Sequence, residues 1–341
     1  MNAAPTAAVD ANAPAGAPKR VLVLGGGPDA EREVSIKSAT GIAEALRAAG
    51  RYDVERRIID TITVDQLRAI PADVLFPYLH GPWGEGGPLQ DILEADGRPY
   101  VGTNARGSRA AMDKIAAKCV ALELGIPTPP VWILCTRDPV CPAPLPVIIK
   151  PVHEGSTVGL YVCTSRRQFA DAVEAIRAEQ AAALAVGRPV RTYMIEPKIG
   201  GDRPARELTV GVIDAQALPI IEIRPKDGLY DYEAKYTRDD TVYLVGEQIP
   251  DLPEALARKL AKQTCRLFKA LGLRHIARAD FMLDAGPGAP TAWFLEINTT
   301  PGFTDHSLVP KAARHAGTDM PALCSRLVEI ALRDHSIAPA P

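Results

Sequence analysis

Residues 293–309 read WFLEINTTPGFTDHSLV. Trp293, Phe294 and Leu295 open the stretch as an apolar strand, which then turns polar. Glu296 and Asn298 are two residues apart, so on a strand they point to the same face. Thr299-Thr300-Pro301-Gly302 cannot continue a strand and predicts a turn. Asp305, His306 and Ser307 follow, next to an expected helix start. A glutamate and an asparagine at the end of a buried strand both offer oxygen, the donor that Mg²⁺ prefers.

A partner strand is expected just upstream, in residues 276–283, IARADFML. Arg278 and Asp280 share one face by the same period of two, while Ala277, Ala279 and Phe281 take the other. The connection 284–291, DAGPGAPT, is rich in Gly and Pro and predicts a hairpin. Folding that hairpin brings Asp280 beside Glu296 and Asn298, so three oxygen-bearing side chains and one arginine share a surface. The plain alternative is the polar face of a half-solvated sheet, which accounts for one such strand more easily than for two neighbours.

The chain's 341 residues suggest two or three domains. With 47% apolar and 23% charged residues it can bury a core, and its net charge of −2 gives no bulk electrostatic case for nucleic acid. No apolar run approaches the roughly 18 residues that span a membrane. The six cysteines form no CxxC pair and no cluster with histidine, the usage expected of a reducing cytoplasm. Residues 1–19, rich in Ala and Pro, lack the basic start and apolar core of a secretory signal and are expected to form a flexible tail.

Residues 21–24, VLVL, fit a buried parallel strand. A run of three glycines follows, then a helix expected from residue 28 to 49. Gly25-x-Gly27-x-x-Ala30 matches the loose dinucleotide fingerprint, which alone is weak. Glu31 and Glu33 stand where a pyrophosphate would have to lie. An anionic Glu31 at the helix start instead suits a substrate ammonium, or simply compensates the helix dipole. Strands are expected at 54–59 and 74–79, the latter running into HGPWGEGG (80–87). His80 thus lies where open α/β sheets place ligand-binding groups, although a lone histidine is more often structural. With a short helix at 89–95 and a strand at 100–102, residues 20–102 make an open α/β domain.

A helix is expected over 108–124, with Lys114 exposed in its first half. VIIKP (147–151) is an apolar strand ending in Lys150, followed by the loop HEGSTVG (153–159). Such a Gly/Ser/Thr loop can close over phosphates with its N–H groups and hydroxyls, Ser156 among them, although no Walker A pattern is present. An apolar strand over 192–196 ends in Glu196, an acid that can face a nucleotide. YDYEAKY (230–236) is charged and aromatic without a clean period, the composition of a functional surface loop.

These pieces, taken together and in order, resemble the D-alanine–D-alanine ligase family of the ATP-grasp superfamily. The similarity is carried by GGGPDAEREVS (25–35), HGPWGEGG (80–87), MDK (112–114), VIIKP, HEGSTVG, YDYEAKY, ARADFMLD (277–284) and LEINTTPGFTDHSLVP (295–310). The resemblance implies a fold of mixed class, α/β and α+β, in three parts: an N-terminal α/β domain (20–102), a central lid (103–196) and a C-terminal domain (197–335), with tails at 1–19 and 336–341. It implies an activity in which the carboxylate of one D-alanine takes the γ-phosphate of ATP and the amine of a second displaces that phosphate. Asp280, Glu296 and Asn298 match the ligands of two Mg²⁺ (or Mn²⁺) ions. Arg278 and the Gly302 N–H match the oxyanion-stabilising groups. Lys114 and Lys150 match the lysines on the ATP phosphates, and Lys235 the loop lysine near the γ-phosphate. Glu31, with His80 nearby, matches the holder of the first substrate's ammonium; Glu31, Ser156 and Tyr236 match a hydrogen-bonded set that anchors the closed loop. Ser307 and Leu308 match the groups holding the second carboxylate, and Glu196 and Glu207 the acids on the adenosine side.

The resemblance further implies a cytoplasmic homodimer, activation by a monovalent cation, and no nucleic-acid or membrane partner. Relatives that make the D-lactate ester lack the tyrosine matched by Tyr236, so the dipeptide is the expected product. The chain departs from the family at Gly86, where an acid is usual, at Pro197, where a lysine is common, and in a longer segment after Glu196. A related ligase for another amino or hydroxy acid, a dinucleotide-dependent oxidoreductase and a non-catalytic nucleotide-binding protein are the alternatives.

Overall fold

Residues 21–24 are almost completely buried because their strand is the middle one of a parallel sheet. In the computed structural model, which describes residues 17–137, 139–155, 159–200, 205–226, 240–284 and 290–337, β1 (Lys19–Gly26) pairs in parallel with β2 (Tyr52–Ile59) and β3 (Val74–Pro77). The tails proposed for 1–19 and 336–341 fall largely outside these residues. Between β1 and β2 runs α1 (Arg32–Ala48), which packs so closely that a Cβ on Gly25 would lie 2.5 Å from that of Ala39. The helix starts later than residue 28, and Glu31 occupies its N-cap position. α2 (Val64–Arg68) follows, opened by a Thr63–Gln66 capping box. Beyond β3 come α3 (Gly81–Glu85) and α4 (Pro88–Asp96), and Tyr100 bridges in parallel to Leu75.

The single helix expected over 108–124 is two helices, α5 (Ala105–Met112) and α6 (Lys114–Glu123). Asp113 breaks it with an extended backbone (φ −77°, ψ 100°), and its carboxylate accepts from the N–H groups of Ile115 at 2.9 Å and Ala116 at 3.0 Å. Lys114 therefore begins α6 and is buried, a correction to the exposed lysine expected from the sequence. Ala111, Ala117, Ala121 and Ile126 pack against the C-terminal strands, so these helices join that core although the chain runs on into the lid.

The lid is an antiparallel sheet of β4 (Trp132–Ile133), β5 (Val147–Pro151), β6 (Tyr161–Cys163) and β7 (Tyr193–Pro197), in the order β4-β7-β5-β6. One face is covered by α7 (Arg166–Ala185), whose Phe169, Val173 and Ile176 meet Val147, Ile149 and Ile195.

The C-terminal sheet comprises β8 (Arg206–Ile213), β9 (Gln216–Ala217), β10 (Ile221–Arg224), β11 (Val242–Val245), β12 (Ile276–Asp284) and β13 (Thr291–Asn298). Its antiparallel order is β11-β10-β8-β12-β13, with β9 on β8. α8 (Glu254–Ala270) covers it through Leu260, Leu267 and Phe268, and α9 (Leu308–His315) packs at its other end. The last helix, α10 (Met320–Ile337), returns to the N-terminal sheet, where Leu323, Leu327 and Val328 share a core with Val23, Ile42 and Phe76. Ile276, Phe303 and Val309 belong to that core too, which fixes the N-terminal domain to the C-terminal body.

Candidate active site

The hairpin register places Arg278 opposite Asn298 and Asp280 opposite Glu296. The Arg278 guanidinium grips both oxygens of Asp280, Nε to Oδ1 at 2.9 Å and Nη2 to Oδ2 at 2.7 Å. Thr209, from β8, donates its hydroxyl to Asp280 Oδ1 at 2.6 Å. Glu207 is two residues before Thr209 and so lies on the same face. Asn298 Oδ1 accepts the Thr300 N–H at 2.7 Å, which turns the chain into the loop after β13.

That loop is seated on the N-terminal domain. The Tyr78 hydroxyl donates to the Pro301 carbonyl, the Tyr78 ring packs 5.1 Å from that of Phe303, and the Phe303 N–H reaches Ser38 Oγ. Thr300 is met by two buried groups from the HGPWGEGG segment. His80 hydrogen-bonds its backbone, and Glu85 accepts the Gly81 N–H at 3.1 Å close to the Thr300 N–H. Burial, reinforced by Arg278 and opposed by the Thr300 bond, pushes the His80 ring down to about 4, so it is neutral at pH 7. Burial and the nearby Glu31 push the Glu85 carboxyl up to about 8, so it holds its proton there. Glu85 is not among the residues expected from the sequence, where an acid among small residues close to His80 is its only signal.

Asp29 holds this segment in shape by accepting the Trp83 N–H at 2.8 Å. Glu31 is buried on the far side, its Oε2 only 3.1 Å from where a Gly155 side chain would begin. The helix start and the start of the glycine loop therefore meet. Ser156, Lys235 and Tyr236 lie outside the described residues.

Lysines converge from two elements. Lys114 Nζ donates to the Glu154 carbonyl and lies 3.5 Å from Glu296 Oε2. Lys150 Nζ, at the end of β5, is 2.6 Å from Glu196 Oε1, and Lys118 Nζ is 2.8 Å from Oε2 of the same carboxylate. The Glu196 side chain is thus buried between two ammonium groups. Lys118 was missed, although its spacing of four from Lys114 puts both on one face of a helix. A cavity of about 30 Å³ is lined by Glu85, Lys114, Gly155, Glu296, Asn298 and Thr299, among others. A larger cleft of about 850 Å³ opens behind the 153–154 loop, and among the described residues none of those expected at the site lines it.

Ser307 occupies the N-cap position of α9. Its Oγ lies 3.1 Å from where a Gly302 side chain would begin, and accepts the Thr304 N–H at 3.0 Å. Leu308 is buried beside it.

Two carboxylates and an amide oxygen are hard donors, but fewer than Mg²⁺ takes; phosphate oxygens and water would complete its shell. The Asp280, Glu296 and Asn298 set therefore fits a metal carried on a polyphosphate. The dinucleotide fingerprint fits no such ligand. The Gly26 N–H is bonded to Ser35 Oγ at 2.8 Å and the Gly27 N–H to the Ile59 carbonyl at 2.8 Å, while Arg32 fills the turn. Those amides are already engaged, and the oxidoreductase alternative falls with them.

Comparison with known proteins agrees with this geometry. Residues 140–329 match the family model described as D-ala D-ala ligase C-terminus. A D-alanine–D-alanine ligase of Bordetella petrii is 41% identical over 330 residues, 94% of each chain. That of Acinetobacter baylyi is 38% identical over 315 residues, covering 91% of this chain and 94% of its own. The crystal structure of a Bacillus anthracis D-alanine–D-alanine ligase complexed with ATP superimposes with a TM-score of 0.75 at 28% identity, over 94% of this chain and 99% of that one. No helix among the described residues is long and apolar enough to cross a membrane. An ATP-grasp architecture, a set of hard-oxygen donors on the β12–β13 hairpin and likeness along nearly the whole length lead to one assignment: the chain belongs to the D-alanine–D-alanine ligase family.

Proposed function

We infer that the chain joins two D-alanines into D-alanyl-D-alanine, an intermediate of peptidoglycan synthesis, with ATP as the phosphate donor. The observation that carries this is the pairing of Asp280 with Glu296 across the hairpin, with Arg278 on one side and Lys114 on the other. In the first step a carboxylate oxygen of one D-alanine attacks the γ-phosphorus and ADP leaves. In the second the amine of the other D-alanine attacks the acyl carbon, and phosphate leaves with that carboxylate oxygen. Both steps concentrate negative charge, and the site supplies fixed positive groups where it develops.

Lys114 and Lys150 would balance the phosphates. Arg278 and the Gly302 N–H would stabilise the oxyanion. Glu31 would hold the first ammonium, because Glu85 keeps its proton and His80 is neutral. Ser307 and Leu308 would hold the second carboxylate at a helix start, where the backbone favours anions. Asp280, Glu296 and Asn298 would hold Mg²⁺ or Mn²⁺, which supplies charge neutralisation to the phosphates when bound. Glu207 would serve the ribose side, and Glu196 the adenosine side through the lysines it orders. The roles of Ser156, Lys235 and Tyr236 rest on the resemblance alone, as do the cytoplasmic location, the homodimer and the monovalent cation.

The test is phosphate release by the purified protein with ATP, Mg²⁺ and D-alanine, with L-alanine and D-lactate in parallel and the product weighed by mass spectrometry. D-alanine-dependent release with the dipeptide formed supports the assignment. An ester with D-lactate would move the chain to the ester-forming ligases, and no release with any substrate would overturn it.

A further inference from the structure

Lys118 is 3% exposed, and two groups from other segments meet its ammonium. Nζ stands 2.8 Å from Glu196 Oε2 on β7 and donates to Thr128 Oγ1 at 3.0 Å. The Thr128 hydroxyl in turn donates to the Phe294 carbonyl at 2.8 Å, two residues before Glu296 on the metal strand. The other Glu196 oxygen is 2.6 Å from Lys150 Nζ on β5. One buried carboxylate is therefore shared by two buried ammonium groups, one from α6 and one from the lid.

The charge count matters in so dry a place. Two cations and one anion leave an excess of one positive charge, and low local dielectric makes that charge strong. Burial works against all three groups, yet Lys150 and Lys118 hold Glu196 below the usual carboxylate range. Burial likewise presses Lys118 down to about 8, against the pull of Glu196. Glu296 also acts on both lysines and is offset by Lys114 at 3.5 Å, so without Lys118 the two remaining lysines would face two carboxylates and the excess would be gone.

We propose that Lys118 is a positioning residue for the nucleotide: by neutralising Glu196 it leaves Lys150 an uncompensated charge for the phosphates, while Thr128 ties this arrangement to the metal strand. The proposal rests on ATP being the phosphate donor.

The experiment compares wild type, K118M, K118Q and K118R by steady-state kinetics, with calorimetric ATP affinity and thermal melting alongside. For K118M we expect the KM for ATP to rise about tenfold or more, while the KM for D-alanine stays within about twofold. K118R should keep most of the ATP affinity. K118Q, polar but uncharged, should lose as much as K118M. A K118R as weak as K118M, or a K118M with unchanged ATP affinity, overturns the proposal. Should K118M fail to fold, K118R and K118Q decide: an ATP affinity within about threefold of wild type for K118R beside a loss of about tenfold for K118Q supports the charge balance, and equal affinities refute it. Calorimetry without D-alanine keeps the two claims apart. A wild type that binds ATP but does not ligate contradicts the proposed reaction and leaves the Lys118 comparison readable.

Discussion

Asp280 stands directly opposite Glu296 in the β12–β13 pair, and one step further the register slips so that Phe281 meets Phe294. Leu295 is the extra residue of a β-bulge. The slip lets Phe294 point into the core while Glu296 stays on the site face, although a regular strand would put residues two apart on one side. The hairpin thus presents two carboxylates without opening the core behind them.

Replacing Glu296 by Gln keeps shape and hydrogen bonding but removes the charge. Ligation should fall by at least about a hundredfold, since groups that merely support metal ligands already cost ten- to a hundredfold. Glu296 is partly exposed, so circular dichroism and the melting temperature should be close to wild type. An active, folded variant would contradict the metal assignment.

Asp113 caps α6 and so sets where Lys114 points. Asp113→Ala should cost about 1 kcal/mol of stability through the lost cap. It should also raise the KM for ATP, because the first turn of α6 loosens. Asp113→Asn, which still caps, should recover the stability; urea unfolding and ATP kinetics check both.

The pH dependence of stability has two opposite parts. The His80 ring is lowered from 6.5 to about 4 by burial, so the unfolded chain takes its proton first as the pH falls. The associated stability is present above 6.5 and is lost as pH falls through 4, on the order of 3 kcal/mol. Glu85 is raised from 4.5 to about 8, so its contribution is full below 4.5 and is lost as pH rises through 8. The melting temperature of His80→Gln should depend less on pH than wild type between about 4 and 6.5, and that of Glu85→Gln should fall less as pH rises from about 4.5 to 8. Parallel curves for wild type and variants would contradict both.

Gly81 has φ +86°, and a Cβ there would lie 2.5 Å from the Asp29 Cβ. Asp29 in turn holds the Trp83 N–H. Gly81→Ala should therefore destabilise by at least about 2 kcal/mol and displace His80 and Glu85. The denaturant midpoint measures the first effect, and a fall in kcat the second.

Much of this was legible in residue order. The period-two spacing of Arg278 with Asp280 and of Glu296 with Asn298 placed four groups on one face, and the apolar run at 21–24 marked the middle strand. What stayed hidden depends on groups far apart in the chain. The break at Asp113 follows from a cap competing with helix continuation, and both outcomes suit the local sequence. The bulge at Leu295 is set by packing of Phe281 against Phe294, which no single strand encodes. Lys118 and Glu85 look like ordinary surface charges until the fold buries them. The glycine run at 25–27 matches a cofactor loop only loosely, and the close approach of α1 and the side chains of Ser35 and Arg32 account for it.

The central claim, that a carboxylate of D-alanine takes the phosphate of ATP, can be followed atom by atom. Purified protein is given ATP, Mg²⁺ and D-alanine whose carboxylate carries a heavy oxygen isotope, and the released phosphate is analysed by mass spectrometry. The mechanism predicts one labelled oxygen in each phosphate, formed in step with the dipeptide. Dipeptide accompanied by unlabelled phosphate would contradict it, because the acyl group would then have been activated without phosphoryl transfer to the carboxylate.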